Sequence, residues 1–210
     1  MKTDNPKFFI TGIGTDVGKT IASAIITEAL EADYWKPIQA GDIANSDSHK
    51  IARYISNNKT RIFPNTYTLH TPASPHYAAQ LDGIDIDIRK VKEPDTKNHL
   101  VIEGAGGLLV PLNDRHTIAD LIKPDYKVII VSRHYLGSIN HTLLTIEALK
   151  QRGIVPEGII FNGIETPSSE NVILDKTGIK MIGRIKDEPY FDKNVINEYA
   201  DNFRNNLLNL

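Results

Sequence analysis

The chain contains no cysteine, which excludes a disulfide framework, a thiolate nucleophile and a thiolate-ligated metal, and fits a reducing compartment. It also lacks an excess of either charge. With 24 Lys+Arg against 26 Asp+Glu, no global field draws it to nucleic acid or to an anionic membrane, so any anion site must be local. No apolar run approaches the length of a membrane span, and residues 1–9 hold no apolar core of signal-peptide size. The expected location is therefore cytoplasmic, with neither nucleic acid nor membrane as a partner. The 7 histidines are scattered, none in a metal-ligand spacing such as His-Glu-x-x-His, so none is assigned to catalysis. There is no internal repeat and no low-complexity tract.

What is present suits an ordinary globular protein: 210 residues, 40% hydrophobic and 24% charged. That length favours a single domain over residues 1–210. Short apolar runs recur at Phe8-Phe9-Ile10, Leu100-Val101-Ile102, Val128-Ile129-Ile130-Val131 and Ile159-Ile160-Phe161. Their length and β-branched content suit strands buried on both faces. Helical spacing separates them, at Ile21, Ile25 and Ala29, at Ile51, Ala52 and Ile55, and at Leu143, Ile146 and Leu149. Alternating strand and helix predicts a doubly wound α/β fold, a mostly parallel sheet with helices on both faces and ligands at the carboxyl ends of the strands. Residues 84–94 fit both periods and are read as helix, residues 63–75 as a loop, and residues 193–210 as a terminal amphipathic helix.

Directly after the first strand stands Gly12-Ile13-Gly14-Thr15-Asp16-Val17-Gly18-Lys19-Thr20, and a helical pattern opens at once. This strand, loop and helix context is the one a phosphate-binding loop requires. Glycines let backbone N–H groups turn towards phosphate oxygens, and the new helix terminus adds partial positive charge. Lys19 offers an ammonium to the β and γ phosphates, and Thr20 is placed to ligate magnesium. The interval from Gly12 to Gly18 is one residue longer than in the strict Walker A pattern. A bare glycine-rich turn with an incidental Lys-Thr pair is the alternative.

Magnesium on a nucleotide accepts only one or two protein carboxylates. Glu103 ends the run Leu100-Val101-Ile102 and opens Gly104-Ala105-Gly106-Gly107, while Asp47 precedes a helical pattern. Glu103 is either a site carboxylate or a solvent-facing strand end. Asp47 is either a site carboxylate or a helix-capping acid. Lys36 follows a second strand at Tyr34-Trp35 and could equally be a surface lysine. Asn162 either caps a loop or reads a base edge with its amide.

Taken together, these motifs resemble the dethiobiotin synthetase family from Phe9 to about Gly183. Four blocks occur in the family's order. Besides the loop from Thr11-Gly12 to Thr20, they are Trp35-Lys36-Pro37-Ile38-Gln39-Ala40-Gly41, Glu103-Gly104-Ala105-Gly106-Gly107-Leu108-Leu109-Val110-Pro111-Leu112, and Leu136-Gly137-Ser138-Ile139-Asn140-His141-Thr142-Leu143-Leu144-Thr145. The resemblance implies an ATP- and Mg2+-dependent cyclo-ligase that forms dethiobiotin from 7,8-diaminopelargonate and carbon dioxide through a carbamate and a carbamic-phosphoric anhydride. It implies that Thr20, Asp47 and Glu103 hold magnesium. Asp16, Val17, Gly18, Lys19, Thr20 and Ile21 surround the triphosphate, with Gly104, Ala105 and Gly106 beside it, and Asn162 and Gly163 meet adenine. Lys36 stabilises the carbamate, with Thr15 nearby and Lys19 on the phosphates. Ala40 and Gly107 line the diamine, and Gly137, Ser138 and Asn140 reach a neighbouring subunit's substrate carboxylate, which implies a homodimer.

Ala40 departs from the family's usual Ser or Thr, and Gly183-Arg184-Ile185-Lys186 from its usual Gly-x-Ile-Pro. A dimeric ATP switch of the partitioning or septum-positioning type is the alternative of another class, since it shares the fold and the loop. Its signature, an early second lysine, is replaced here by Ile13 and Gly14, and the last ten residues carry only Arg204 as a base. A cobyrinate-type amidation enzyme needs a glutaminase domain and a cysteine. A pure binding module would leave the acids and lysines without work.

Overall fold

The computed structural model describes residues 5–210, so residues 1–4 of the opening stretch lie outside the described residues. The order is β1 (Lys7–Gly12), α1 (Lys19–Leu30), β2 (Asp33–Trp35), β3 (Ile38–Ala40), α2 (Asp47–Tyr54), β4 (Ile62–Phe63), β5 (Tyr67–Leu69) and α3 (Pro75–Asp82). There follow β6 (Leu100–Gly107), β7 (Tyr126–Arg133), α4 (Ser138–Lys150), β8 (Gly158–Asn162), α5 (Pro167–Thr177), β9 (Met181–Ile185) and α6 (Lys193–Leu208). A 7-stranded sheet runs β4-β2-β6-β1-β7-β8-β9, and its pairings are parallel.

The apolar runs become central strands because both of their faces are covered. Phe9, Trp35, Leu100, Ile102, Val128 and Ile130 pack with residues of α3, α4 and α5. Phe8, Ile10, Tyr34, Val101, Ile129 and Val131 pack with residues of α1, α2 and α6. The strand period of two thus divides each run between two cores. From β1 the chain moves outward to β2 and β4, returns to β6, and then builds β7, β8 and β9 on the other side. The switch in direction falls at β1, and a crevice opens beyond its carboxyl end. Among the described residues, no helix is long and apolar enough to cross a membrane.

Three local expectations are corrected. Residues 84–94 do not form a helix; a three-residue 3-10 turn at Ile88–Lys90 stands within irregular chain. Distant side chains take the backbone groups a helix would need: the Asp87 N–H donates to the Tyr67 hydroxyl at 3.0 Å, and the Asn113 amide donates to the Ile86 carbonyl at 2.8 Å. Residues 63–75, read as a loop, contain β5, which pairs in parallel with β3 as a separate 2-stranded sheet. The Thr66 and Tyr67 N–H groups donate to the Pro37 carbonyl and start that pairing. Ile55 lies just beyond α2, as its extended cap.

Candidate nucleotide and metal site

The loop between β1 and α1 depends on two glycines for geometric reasons. Gly18 has φ +96°, and a Cβ there would collide with the Asn162 amide. At Gly12 a Cβ would fall 2.5 Å from Val17 Cγ2. Asn162, at the end of β8, donates from Nδ2 to the Val17 carbonyl at 2.9 Å, so its side chain latches the loop. Lys19 folds back and donates to the Gly14 carbonyl at 2.9 Å. Burial pushes its ammonium down to about 8, since an ion in a poorly solvated place gives up its charge more readily.

A compact cluster of charged and polar groups lies beside the loop. Thr20 Oγ1 sits 3.0 Å from Asp47 Oδ1 and 2.9 Å from Glu103 Oε1. Lys36 Nζ donates to Asp47 Oδ2 at 2.5 Å and to Glu103 Oε1 at 3.0 Å. Lys36 is 5% exposed and Glu103 1%. Glu103 is therefore neither a strand end nor solvent-facing: β6 continues to Gly107, and the carboxylate points into the α1 side of the sheet. Asp47 is the first residue of α2, but the cap is Ser46, whose side chain accepts from the His49 N–H. That leaves the Asp47 carboxylate free for the cluster. Burial alone would lower the Lys36 ammonium, yet the charges of Glu103 and Asp47 outweigh it and raise it. Burial alone would likewise raise Asp47, but the charge and hydrogen bond of Lys36 hold it below its ordinary value.

A cavity of about 720 Å³ opens over this cluster. Of the expected residues it is lined by Thr15, Asp16, Gly18, Lys19, Thr20, Ile21, Lys36, Ala40, Asp47, Glu103, Ala105 and Gly106. Val17, Gly104, Gly107, Asn162 and Gly163 lie outside its lining: Val17 is buried, and Gly104 faces Ile118 and Phe9. Gly137, Ser138 and Asn140 at the start of α4 do not line it either; Ser138 is buried and Asn140 exposed. Arg184, in the segment that departs from the family pattern, is held by Glu165 and Glu170, and His134 joins Glu170 at 2.8 Å.

Several groups were missed in the sequence. Tyr34, wholly buried, donates its hydroxyl to Glu103 Oε2 at 2.8 Å. Gln39 accepts from the Asp47 N–H at 3.3 Å and donates to the Gly41 carbonyl at 2.9 Å, tying the chain after β3 to the start of α2. Pro72, Ala73, Ser74 and Pro75 form the far wall of the cavity. Tyr34 could have been found by noting that it lies two residues before Lys36 on a strand. Gln39 and the wall carried no local signal.

Two carboxylates and a hydroxyl, all hard oxygen donors, converge beside a phosphate-binding loop. That donor set fits Mg2+, which takes one or two carboxylates and leaves its other positions to phosphate and water.

Fold and loop define the class: a P-loop nucleotide-binding α/β protein. A family model described as an AAA domain matches residues 6–195. The fold is similar to that of a ParA family ATPase from Chlorobium tepidum, at TM-score 0.62 and 11% identity over 98% of this chain and 100% of that one. It is also similar to the septum site-determining protein MinD complexed with Mg-ADP from Pyrococcus horikoshii, at TM-score 0.59 and 13% identity over 97% and 93%. Likeness at such identities concerns the fold alone. Sequence relatives go further. Proteins named ATP-dependent dethiobiotin synthetase BioD are 60% identical in Christiangramia forsetii, over 95% of this chain and 97% of the relative, and 50% identical in Cytophaga hutchinsonii, over 92% and 95%. A third, from Agrobacterium fabrum, is 43% identical over 94% of each chain. The chain belongs to the ATP-dependent dethiobiotin synthetase family.

Proposed function

We propose that this chain is an ATP-dependent cyclo-ligase of biotin biosynthesis, closing the ureido ring of dethiobiotin from 7,8-diaminopelargonate and carbon dioxide. The observation that carries the reading is the buried Lys36 ammonium, set between Asp47 and Glu103 at the floor of a cavity shared with the phosphate-binding loop. Lys36 lies outside the phosphate-binding loop, unlike the early loop lysine of a switch-type ATPase, and faces the cavity between two carboxylates. A ligase that must hold an anionic carbamate beside a γ-phosphate needs a cation in that place.

In this reading Lys19 and the loop backbone hold the triphosphate. Thr20, Asp47 and Glu103 would hold Mg2+, which supplies positive charge to the phosphate oxygens. The Lys36 ammonium, held beside the same two carboxylates, would bind the carbamate oxygens. One amine of the diamine and carbon dioxide form the carbamate with loss of a proton. A carbamate oxygen then attacks the γ-phosphorus, ADP departs, and a carbamic-phosphoric anhydride results. The second amine attacks the carbonyl carbon, a C–N bond forms, and phosphate leaves with loss of a further proton. The chain supplies no nucleophile; it contributes position and charge, and the tether between the amines makes closure intramolecular.

Ala40 and the segment from Pro72 to Pro75 offer an apolar wall to the hydrocarbon part of the diamine. Gly137, Ser138 and Asn140 are assigned to the substrate carboxylate of a partner subunit. Their place outside the cavity of their own chain supports this, as does the exposure of the neighbouring Tyr135, Leu136 and Leu144. Purified protein with ATP, Mg2+, bicarbonate and the diamine tests the reading by mass spectrometry. It predicts dethiobiotin together with phosphate release that requires the diamine. Phosphate release independent of the diamine, without ring closure, refutes it in favour of a switch-type ATPase.

A further inference from the structure

We propose that Tyr34 is a positioning residue that grips one oxygen of Glu103, so that only the other is offered to the cation, and that this grip makes the site prefer Mg2+ to Ca2+. The inference rests on the reading above that Glu103 is a metal ligand. The carboxylate is divided between two environments. Oε1 meets Thr20 Oγ1 at 2.9 Å and Lys36 Nζ at 3.0 Å, on the cavity side. Oε2 receives the Tyr34 hydroxyl at 2.8 Å, within the core. Tyr34 has no exposed surface and Glu103 has 1%, so neither group can exchange its partner for bulk water without a local opening.

The arrangement follows from strand register. β2 and β6 are parallel, with Tyr34 opposite Val101. Val101 and Glu103 point to the same side of β6, as Tyr34 and Lys36 do along the β2 side, because alternate residues share a face. The phenol therefore approaches the glutamate from the core while the lysine approaches it from the cavity. A phenol donating to a carboxylate makes a charge-assisted hydrogen bond, and such outer partners fix how a ligand presents itself to a metal. Mg2+ demands near-octahedral geometry, whereas Ca2+ takes 6–8 oxygens and often both oxygens of one carboxylate. Holding Oε2 denies the second mode.

Binding of ADP to the full chain, titrated against free Mg2+ and free Ca2+, tests this in wild type, Tyr34→Phe and Glu103→Gln. Tyr34→Phe is expected to raise the Mg2+ needed for half-maximal binding by about tenfold and to narrow the Mg2+ to Ca2+ ratio. ADP affinity in EDTA stays unchanged, which a general loss of structure would not allow. A folded Tyr34→Phe variant with wild-type Mg2+ requirement and ratio overturns the proposal, provided Glu103→Gln shifts the requirement. If Glu103→Gln shifts nothing, the assignment of Glu103 as a ligand fails, and the grip fails with it. Wild-type protein gives a check that needs no variant to fold: Ca2+ supporting ADP binding at concentrations within about threefold of Mg2+ contradicts a one-oxygen grip.

Discussion

Replacing Lys36 by methionine keeps most of the side-chain volume and removes the one charge that sits between Asp47 and Glu103. Two buried or nearly buried carboxylates are then left facing each other with no cation between them, Lys50 staying 3.5 Å from Asp47 Oδ1 on its outer side. Breaking a buried ion pair by deleting one partner costs about 3–5 kcal/mol, because the stranded charge stays desolvated. For a chain of this size about 1 kcal/mol corresponds to roughly 2–4 °C in melting temperature, so the variant should melt about 6–20 °C lower in EDTA. Mg2+ with ADP should recover much of the deficit, because a divalent cation offsets the same two charges. Acid should recover part of it too. Without Lys36 the burial effect on Asp47 is opposed only by the Thr20 hydrogen bond and the charge of Lys50, so its folded value rises relative to wild type. The variant then gains stability relative to wild type as the pH falls towards 4. Differential scanning fluorimetry from about pH 4 to 8, with EDTA or Mg2+-ADP, measures all three effects, and ligase turnover should be almost lost at every pH. A melting temperature within about 2 °C of wild type in EDTA, or a deficit indifferent to Mg2+-ADP, would refute the view that Lys36 balances this pair in the metal-free chain.

Two further outcomes follow from the loop. Burial lowers Lys19 to about 8, so a bound phosphate that restores its charge must bring in a proton near and above that pH. Calorimetric titrations of ADP at pH 8.5 in buffers of different ionisation enthalpy should show uptake approaching one proton, and affinity should fall from pH 7 to 9; buffer-independent heats contradict this. The same shift makes Lys19 oppose folding most strongly below pH 8, an opposition relieved as the pH rises towards 10.5. Gly18→Ala forces a side chain into φ +96° and against Asn162, costing about 1–3 kcal/mol in backbone strain and weakening nucleotide binding. Gly178→Ala carries a positive φ but meets nothing within 4 Å, so chemical denaturation should show the smaller loss there and unchanged ADP affinity.

The central strands were legible because burial on both faces leaves a signature of its own: Val128, Ile129, Ile130 and Val131 have no polar residue among them and are all fully buried. Helix α1 was legible because Ile25 and Ala29 recur one turn apart behind a glycine loop. Residues 84–94 were not. Their three isoleucines fit either period, and the decision was made elsewhere in the chain by Tyr67 and Asn113, which captured the backbone. The β3 and β5 pair escaped for the same reason. Three-residue strands carry little pattern, and what fixes them is a parallel partner about thirty residues away.

The phosphate loop could be read locally, since one continuous segment carries its glycines, lysine and threonine. The candidate cation cluster could not, because it joins three separated segments: Thr20 on α1, Asp47 on α2 and Glu103 on β6. Pattern left both acids ambiguous, and only the resemblance gathered them. What gathers them in space is register. If β2 slipped by one residue, Trp35 would take the place of Tyr34 and the side chains on either side would exchange faces. Lys36 would then point with Phe9 and Ile102 into the α3 side of the sheet, and Glu103 would lose both its core and its cavity partner. The hydrophobic pattern of β2 resists that slip, since Tyr34 and Trp35 are both buried, each in a different core. The same apolar contacts that fix the fold at β2 thus aim the lysine at the carboxylates, and a substitution that loosened this short strand would impair the site without touching any residue in it.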